Sequence, residues 1–130
     1  MAKILIIEDE RVLAEMYKEK FEKEGFEVYL AFTSDEGLNL VKKEKPDLIL
    51  LDILLPGKDG IFFLKWLKNE PEISSIPVVV ISNYDDPRAK KEAFELGVKE
   101  YLLKTDYTPH QLVEKIKKIP LIFQKNVKNS

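Results

Sequence analysis

The chain has 130 residues, of which 45% are hydrophobic and 34% charged, a composition typical of one globular domain. Its 21 Lys and Arg against 23 Asp and Glu leave a formal net charge of -2, which argues against a domain that binds nucleic-acid phosphates. The chain has no cysteine, which excludes disulfides, thiolate nucleophiles and sulfur ligands for a metal.

The first apolar run, within MAKILIIEDER, is too short for a secretory signal or a membrane span. We therefore expect a cytoplasmic protein that has no membrane partner.

Three continuous apolar runs have the length of strands, and two weaker segments have strand-like composition. The runs do not alternate with polar residues, which is typical of strands buried on both faces of a parallel sheet. In chain order the predicted strands are 4–7, 26–32, 48–51, 78–81 and 98–104.

Helical patterns fill the intervals between these strands. The first ends before Gly25, the second opens with Thr33 or Ser34 as its cap, and the last is capped by Thr108. The predicted helices are 11–24, 33–44, 60–69, 87–96 and 109–119. Five strands alternating with five helices predict an α/β domain with a doubly wound parallel sheet.

We expect this domain to span residues 1–119 and the segment PLIFQKNVKNS, at 120–130, to form a C-terminal tail. The apolar residues of the tail would pack locally or begin a linker.

Polar side chains follow all but one of the predicted strands. In a doubly wound sheet, ligands bind where the carboxyl ends of neighbouring strands meet. Taken singly, each of these residues has an ordinary explanation as a helix cap, a turn residue, a loop hydroxyl or a solvated lysine. Their joint position at one edge favours a site made of Glu8, Asp9, Asp52, Ser82 and Lys104.

Asp52 interrupts the apolar run in LILLDILLPGKDG, at 48–60, where an unpartnered charge would be costly. Asp9 and Asp52 would repel each other unless a cation lay between them, and Mg²⁺ with carboxylate ligands suits that position. A carboxylate can accept a phosphoryl group, and a lysine and a hydroxyl can bind the phosphoryl oxygens. These residues therefore predict a Mg²⁺-assisted phosphoacceptor at Asp52.

Over about residues 3–119 the sequence resembles the receiver domain of bacterial two-component response regulators. The similarity lies in ILIIEDE, PDLILLDILLPGKDG, IPVVVISNYDD and GVKEYLLK, which occur in the order typical of that family. The resemblance implies a flavodoxin-like five-stranded sheet of order 2-1-3-4-5. It also implies a signalling domain rather than an enzyme, one that promotes its own phosphoryl transfer and dephosphorylation.

The resemblance implies a role for each site residue. Asp52 accepts the phosphoryl group and Lys104 contacts it, while Ser82 and Tyr101 form a switch pair. The implied Mg²⁺ ligands are Glu8, Asp9, Asp52 and the backbone carbonyl of Leu54. Two positions depart from the family pattern: Thr105 stands where a cis proline is usual, and Asn83 where a very small residue is preferred.

The implied partners are a sensor histidine kinase or phosphotransfer protein, and a downstream protein or second copy that binds the face formed by 87–119. Nucleic acid is not an expected partner of this chain alone.

Two enzyme or cofactor classes fit less well. A phosphatase of the haloacid dehalogenase class would carry a second acid where this chain has Leu54. A flavin-binding module would need a hydroxyl- and glycine-rich loop where this chain has EDERVL, whose acids would repel a phosphate. The alternative that stays open is a receiver-like protein-interaction module that works without phosphorylation.

Overall fold

The computed structural model describes residues 2–119, and the tail predicted at 120–130 lies outside this part of the chain. All five predicted strands and five predicted helices are present, with ends that differ by no more than two residues. In chain order the elements are β1 Lys3–Ile7, α1 Arg11–Lys23, β2 Glu27–Ala31, α2 Ser34–Glu44, β3 Leu48–Leu51, α3 Gly60–Lys68, β4 Val78–Ser82, α4 Pro87–Glu95, β5 Glu100–Leu103 and α5 Pro109–Lys117. A short 3₁₀ turn, Lys104–Asp106, joins β5 to α5.

The five strands form one parallel sheet of order β2-β1-β3-β4-β5, which confirms the expected doubly wound, flavodoxin-like fold. Ile7 is in register with both Ala31 and Leu51, and Leu51 is in register with Val80. Because neighbouring strands end at nearly the same level, the residues that follow them share one edge of the sheet.

Apolar side chains cover both faces of the sheet. Along β1, Leu5 and Ile7 contribute to one buried cluster, whereas Ile4 and Ile6 contribute to the other. The first cluster includes residues of α2, α3 and α4, and the second includes residues of α1 and α5. Burial on two faces explains why the strand sequences are continuously apolar.

Side-chain caps fix where several helices begin. Thr33, rather than Ser34, caps α2 by accepting a hydrogen bond from the backbone N–H of Glu36. Asp59 caps α3, and Thr108 caps α5 as predicted. Within residues 2–119, no helix combines the length and the apolarity needed to cross a bilayer.

Candidate functional site

Three carboxylates converge at the carboxyl edge of the sheet. One oxygen from each of Glu8, Asp9 and Asp52 lies within 4.8 Å of the other two. Glu8 is 0% exposed and Asp52 is 4% exposed, whereas Asp9 is open to solvent. The predicted acidic cluster therefore has two buried members and one on the water side.

Lys104 supplies the counter-charge for the buried acids. Its side chain is 8% exposed, and its Nζ lies 3.0 Å from Oδ2 of Asp52 and forms a closer ion pair with Oε1 of Glu8. Burial alone would lower the pKa of Lys104, but its contact with Glu8 and the charge of Asp52 outweigh burial and raise that pKa. Lys104 is therefore held in its cationic form between two carboxylates.

Burial strongly perturbs the Glu8 carboxyl group. Burial raises the pKa of Glu8 to about 7, although Lys104 and the backbone N–H of Glu10 both act to lower it. That N–H donates to Oε2 at 3.1 Å, whereas the buried Oε1 forms the ion pair with Nζ of Lys104. Both oxygens of Glu8 are therefore partnered, one by a backbone N–H and one by the Lys104 ammonium.

The loop between β3 and α3, residues 52–60, holds Asp52 in place. Oδ1 of Asp52 accepts a hydrogen bond from the backbone N–H of Leu54 at 3.1 Å, and the Leu54 side chain is 52% exposed. The backbone N–H of Gly60 donates to the carbonyl of Ile53 at 2.9 Å, which closes the base of the loop. Both oxygens of Asp52 are thus engaged, one by the loop and one by Lys104.

Ser82 is the last residue of β4, Tyr101 lies within β5, and the two are connected through Tyr84. Ser82 is 0% exposed, and its Oγ accepts a hydrogen bond from the backbone N–H of Tyr84 at 3.0 Å. The hydroxyl of Tyr101 donates to the carbonyl of Tyr84 at 2.6 Å. Sequence reasoning missed Tyr84, whose only signal was its position two residues after a strand-end hydroxyl, because it takes part through its backbone.

The two positions that depart from the family pattern both border the site. Asn83 is exposed. Thr105 follows Lys104 within the 3₁₀ turn, and every peptide bond of the described residues is trans.

The donor set fits a small, hard divalent cation. All the available side-chain donors are carboxylate oxygens, and three carboxylates face a single lysine. Such a site can hold a cation at the solvent side of the cluster and present an Asp52 oxygen as a nucleophile.

Comparison with known proteins identifies the family. The family model of the response regulator receiver domain matches residues 4–117 of this chain. The chain belongs to this family. The match reaches all ten elements of the fold. This receiver domain is therefore a signalling domain of two-component systems, a class that interacts with histidine kinases or phosphotransfer proteins and with downstream partners.

Solved receiver structures have the same fold. A CheY-like receiver domain protein from Methanospirillum hungatei JF-1 is 31% identical, with a TM-score of 0.83 over 97% of this chain and 98% of that chain. The BeF3-activated receiver domain of Klebsiella pneumoniae RstA is 30% identical, with a TM-score of 0.78 over 88% of this chain and 95% of that chain. The Mn²⁺-bound response regulator Rcp1 is 26% identical, with a TM-score of 0.82 over 93% of this chain and 95% of that chain.

Proposed function

We propose that this receiver domain, residues 1–119, accepts a phosphoryl group on Asp52 from the phosphohistidine of a sensor histidine kinase or phosphotransfer protein. The observation that carries the proposal is the buried Asp52 carboxylate, 3.0 Å from the Lys104 ammonium and beside two further acids. A structural aspartate in an apolar loop would not need this set of neighbours.

The proposed transfer makes one bond and breaks one bond. An Asp52 oxygen attacks the phosphorus, the P–N bond of the donor breaks, and its electron pair stays on the imidazole nitrogen. Lys104 stabilises the negative charge of the phosphoryl oxygens, because its ammonium already lies beside Asp52. Water later hydrolyses the acyl phosphate, so the domain acts as a switch rather than as an enzyme on a separate substrate.

We propose Mg²⁺ as the cofactor, held by Glu8, Asp9, Asp52 and the backbone carbonyl of Leu54. When bound, the ion would neutralise part of the charge on the phosphoryl group. The three converging carboxylates support this assignment, because their oxygens are the ligand type that Mg²⁺ prefers. Mn²⁺ in Rcp1, a response regulator of the same fold, is further support for a divalent cation.

Incubation with acetyl phosphate and Mg²⁺, followed by intact mass spectrometry, tests the phosphoacceptor. We expect the mass of one added phosphoryl group in the wild type and none in Asp52→Asn. Asp59→Asn is the matched control, because asparagine can keep the cap of α3 while one acid of the same loop is removed. Modification that persists in Asp52→Asn would reject the assignment, and a wild type that is never modified would favour the phosphorylation-independent alternative.

Thermal unfolding tests the metal site. A ligand that binds only the folded state stabilises it by mass action, by about 1.4 kcal/mol at ten times its Kd. We expect the melting temperature to rise in millimolar Mg²⁺ for the wild type and not for Asp9→Ala. Glu10→Ala, which removes the adjacent exposed acid, is expected to respond like the wild type. An undiminished response in Asp9→Ala would place the metal elsewhere.

We also propose that phosphorylation changes the face formed by residues 87–119, which would bind a downstream protein or a second copy. A phosphoryl oxygen would draw the Ser82 hydroxyl away from the backbone N–H of Tyr84, the residue whose carbonyl binds Tyr101. Phe94, which is 48% exposed on α4, lies on this face. The contact network supports the coupling because one residue joins the two switch side chains.

Amide chemical shifts on adding Mg²⁺ and BeF3 test this switch. We expect changes across residues 83–104 in the wild type and changes confined to the acidic cluster in Ser82→Ala. An equal spread in that variant would remove Ser82 from the mechanism.

A further inference from the structure

Among the described residues, four polar or charged ones are buried as whole residues, and one of the four has no role in the proposed site. Glu8, Asp52 and Ser82 lie at the carboxyl edge, whereas Ser34 is 2% exposed in the first turn of α2. The cap of α2 is supplied by Thr33, so the Ser34 hydroxyl is not needed for that purpose. A buried hydroxyl requires a partner.

The partner of Ser34 is the loop that carries the phosphoacceptor. Its Oγ donates to the backbone carbonyl of Lys58 at 2.5 Å and lies 3.3 Å from the carbonyl of Asp59. The base of this loop is closed between Ile53 and Gly60. Ser34 therefore holds the C-terminal end of the loop that begins with Asp52.

A second contact between α2 and the loop is weak by comparison. Nζ of Lys58 lies 3.4 Å from Oδ1 of Asp35, but the two side chains are 56% and 67% exposed. Exposed ion pairs contribute little, because water solvates and salt screens both charges. The buried hydroxyl is therefore the stronger of these two anchors.

We propose that Ser34 is a positioning residue for phosphoryl transfer, which fixes the 52–60 loop so that Asp52 and the Leu54 carbonyl are presented to the cation. This proposal rests on the function proposed above. Ligand geometry matters because groups that only orient metal ligands can change metal affinity by 10-fold or more. Ser34 contacts the loop at Lys58, four positions after Leu54 in the sequence. Its effect on metal affinity should therefore be about 10-fold or less.

The test compares Ser34→Ala with Thr33→Ala. Each variant removes one hydroxyl from the start of α2, but only Ser34 touches the loop, since the Thr33 oxygen accepts from the backbone N–H of Glu36. Isothermal titration with Mg²⁺ and the rate of acetyl-phosphate modification of Asp52 are the two readouts. We expect Ser34→Ala to weaken Mg²⁺ binding and slow modification by roughly threefold to tenfold, with both unchanged in Thr33→Ala.

Ser34→Cys distinguishes an effect on loop position from a general loss of stability, because a thiol has a similar shape to a hydroxyl and is a weak hydrogen-bond donor. We expect its Mg²⁺ affinity to lie between those of the wild type and Ser34→Ala, whatever the order of their melting temperatures. Equal affinities in Ser34→Ala and the wild type would overturn the proposal. So would equal losses in Ser34→Ala and Thr33→Ala, or failure of both Ser34 variants to fold, because the hydroxyl would then serve the fold as a whole.

The failure of this inference is distinguishable from failure of the proposed function. If the wild type neither binds Mg²⁺ nor becomes modified, the function itself is rejected. If the wild type does both and Ser34→Ala matches it, the phosphoacceptor stands and only the role of Ser34 is rejected.

Discussion

Gly60, the first residue of α3, allows a close backbone contact directly behind Asp52, the proposed phosphoacceptor. A Cβ at this position would lie 2.8 Å from the carbonyl oxygen of Asp52 and 2.8 Å from the Cα of Ile53. Cβ atoms essentially never approach other atoms within 3.0 Å, and both of these neighbours are backbone atoms that cannot rotate away. Gly60→Ala must therefore displace either the start of α3 or the strand end that carries Asp52.

The magnitude follows from the kind of clash. Overpacking a well-packed site costs about 1–3 kcal/mol, and a clash with two backbone atoms places Gly60→Ala at about 2–3 kcal/mol. Alanine at Gly57 has open space but a φ of +75°, so backbone strain of about 1 kcal/mol is expected there. Alanine at Gly37 would lie 2.6 Å from Cδ1 of Ile7, a side-chain end that can rotate, and would gain helix propensity of up to about 1 kcal/mol.

Urea unfolding of the three alanine variants gives the free energies, and acetyl-phosphate modification of Asp52 gives the functional effect. We expect Gly60→Ala to be the least stable and to be modified more slowly than Gly57→Ala, because only Gly60 touches the Asp52 backbone. If Gly60→Ala and Gly57→Ala lose equal stability and equal modification rate, the close contact behind Asp52 does not position the site.

Two further predictions concern the buried charges. Lys104→Met should lower the free energy of unfolding at pH 7 by about 3–5 kcal/mol, because Glu8 and Asp52 lose their buried counter-charge. Lys117→Met, which breaks a partly exposed pair with Glu24, should lower it much less in the same urea titration, and similar losses in the two variants would contradict this account. Burial raises the pKa of Glu8 from 4.5 to about 7. The protonated form of Glu8 therefore contributes folding stability that is fully present below pH 4.5 and is lost as the pH rises towards 7. In metal-free buffer, wild type should therefore lose about 3 kcal/mol relative to Glu8→Gln between pH 4.5 and 7, and a pH-independent difference would refute the raised pKa.

The fold and the acidic cluster could be predicted because both depend on patterns of residue type that are visible in the sequence. Continuous apolar runs indicate strands buried on both faces, and a parallel sheet brings the ends of its strands to one edge. Asp52 and Lys104 are 52 residues apart, yet each directly follows a strand, so their contact at 3.0 Å is a consequence of topology. Side-chain chemistry then indicates what the cluster can bind.

The contacts of Ser34 and Tyr84 could not be predicted in the same way. Ser34 reaches a backbone carbonyl 24 residues away, and its burial depends on how α2 packs beside the 52–60 loop. Tyr84 joins Ser82 to Tyr101 through its own N–H and C=O, groups that every non-proline residue carries. Contacts made by backbone groups leave no signature in residue type, so only the three-dimensional arrangement reveals them.

The position of Asp52 at the end of an apolar run follows from the needs of the proposed chemistry. At 4% exposure its carboxylate has little contact with water and instead receives the Leu54 N–H and the Lys104 ammonium. Fixed partners of this kind do not have to reorganise when a phosphoryl group arrives, as water would. The same arrangement buries two acids, Glu8 and Asp52, around a single lysine, which destabilises the metal-free fold. An apolar residue at either position would remove the cost of burying a charge, but it would also remove a proposed Mg²⁺ ligand. Stability and the proposed phosphoryl transfer therefore make opposite demands on these two acids.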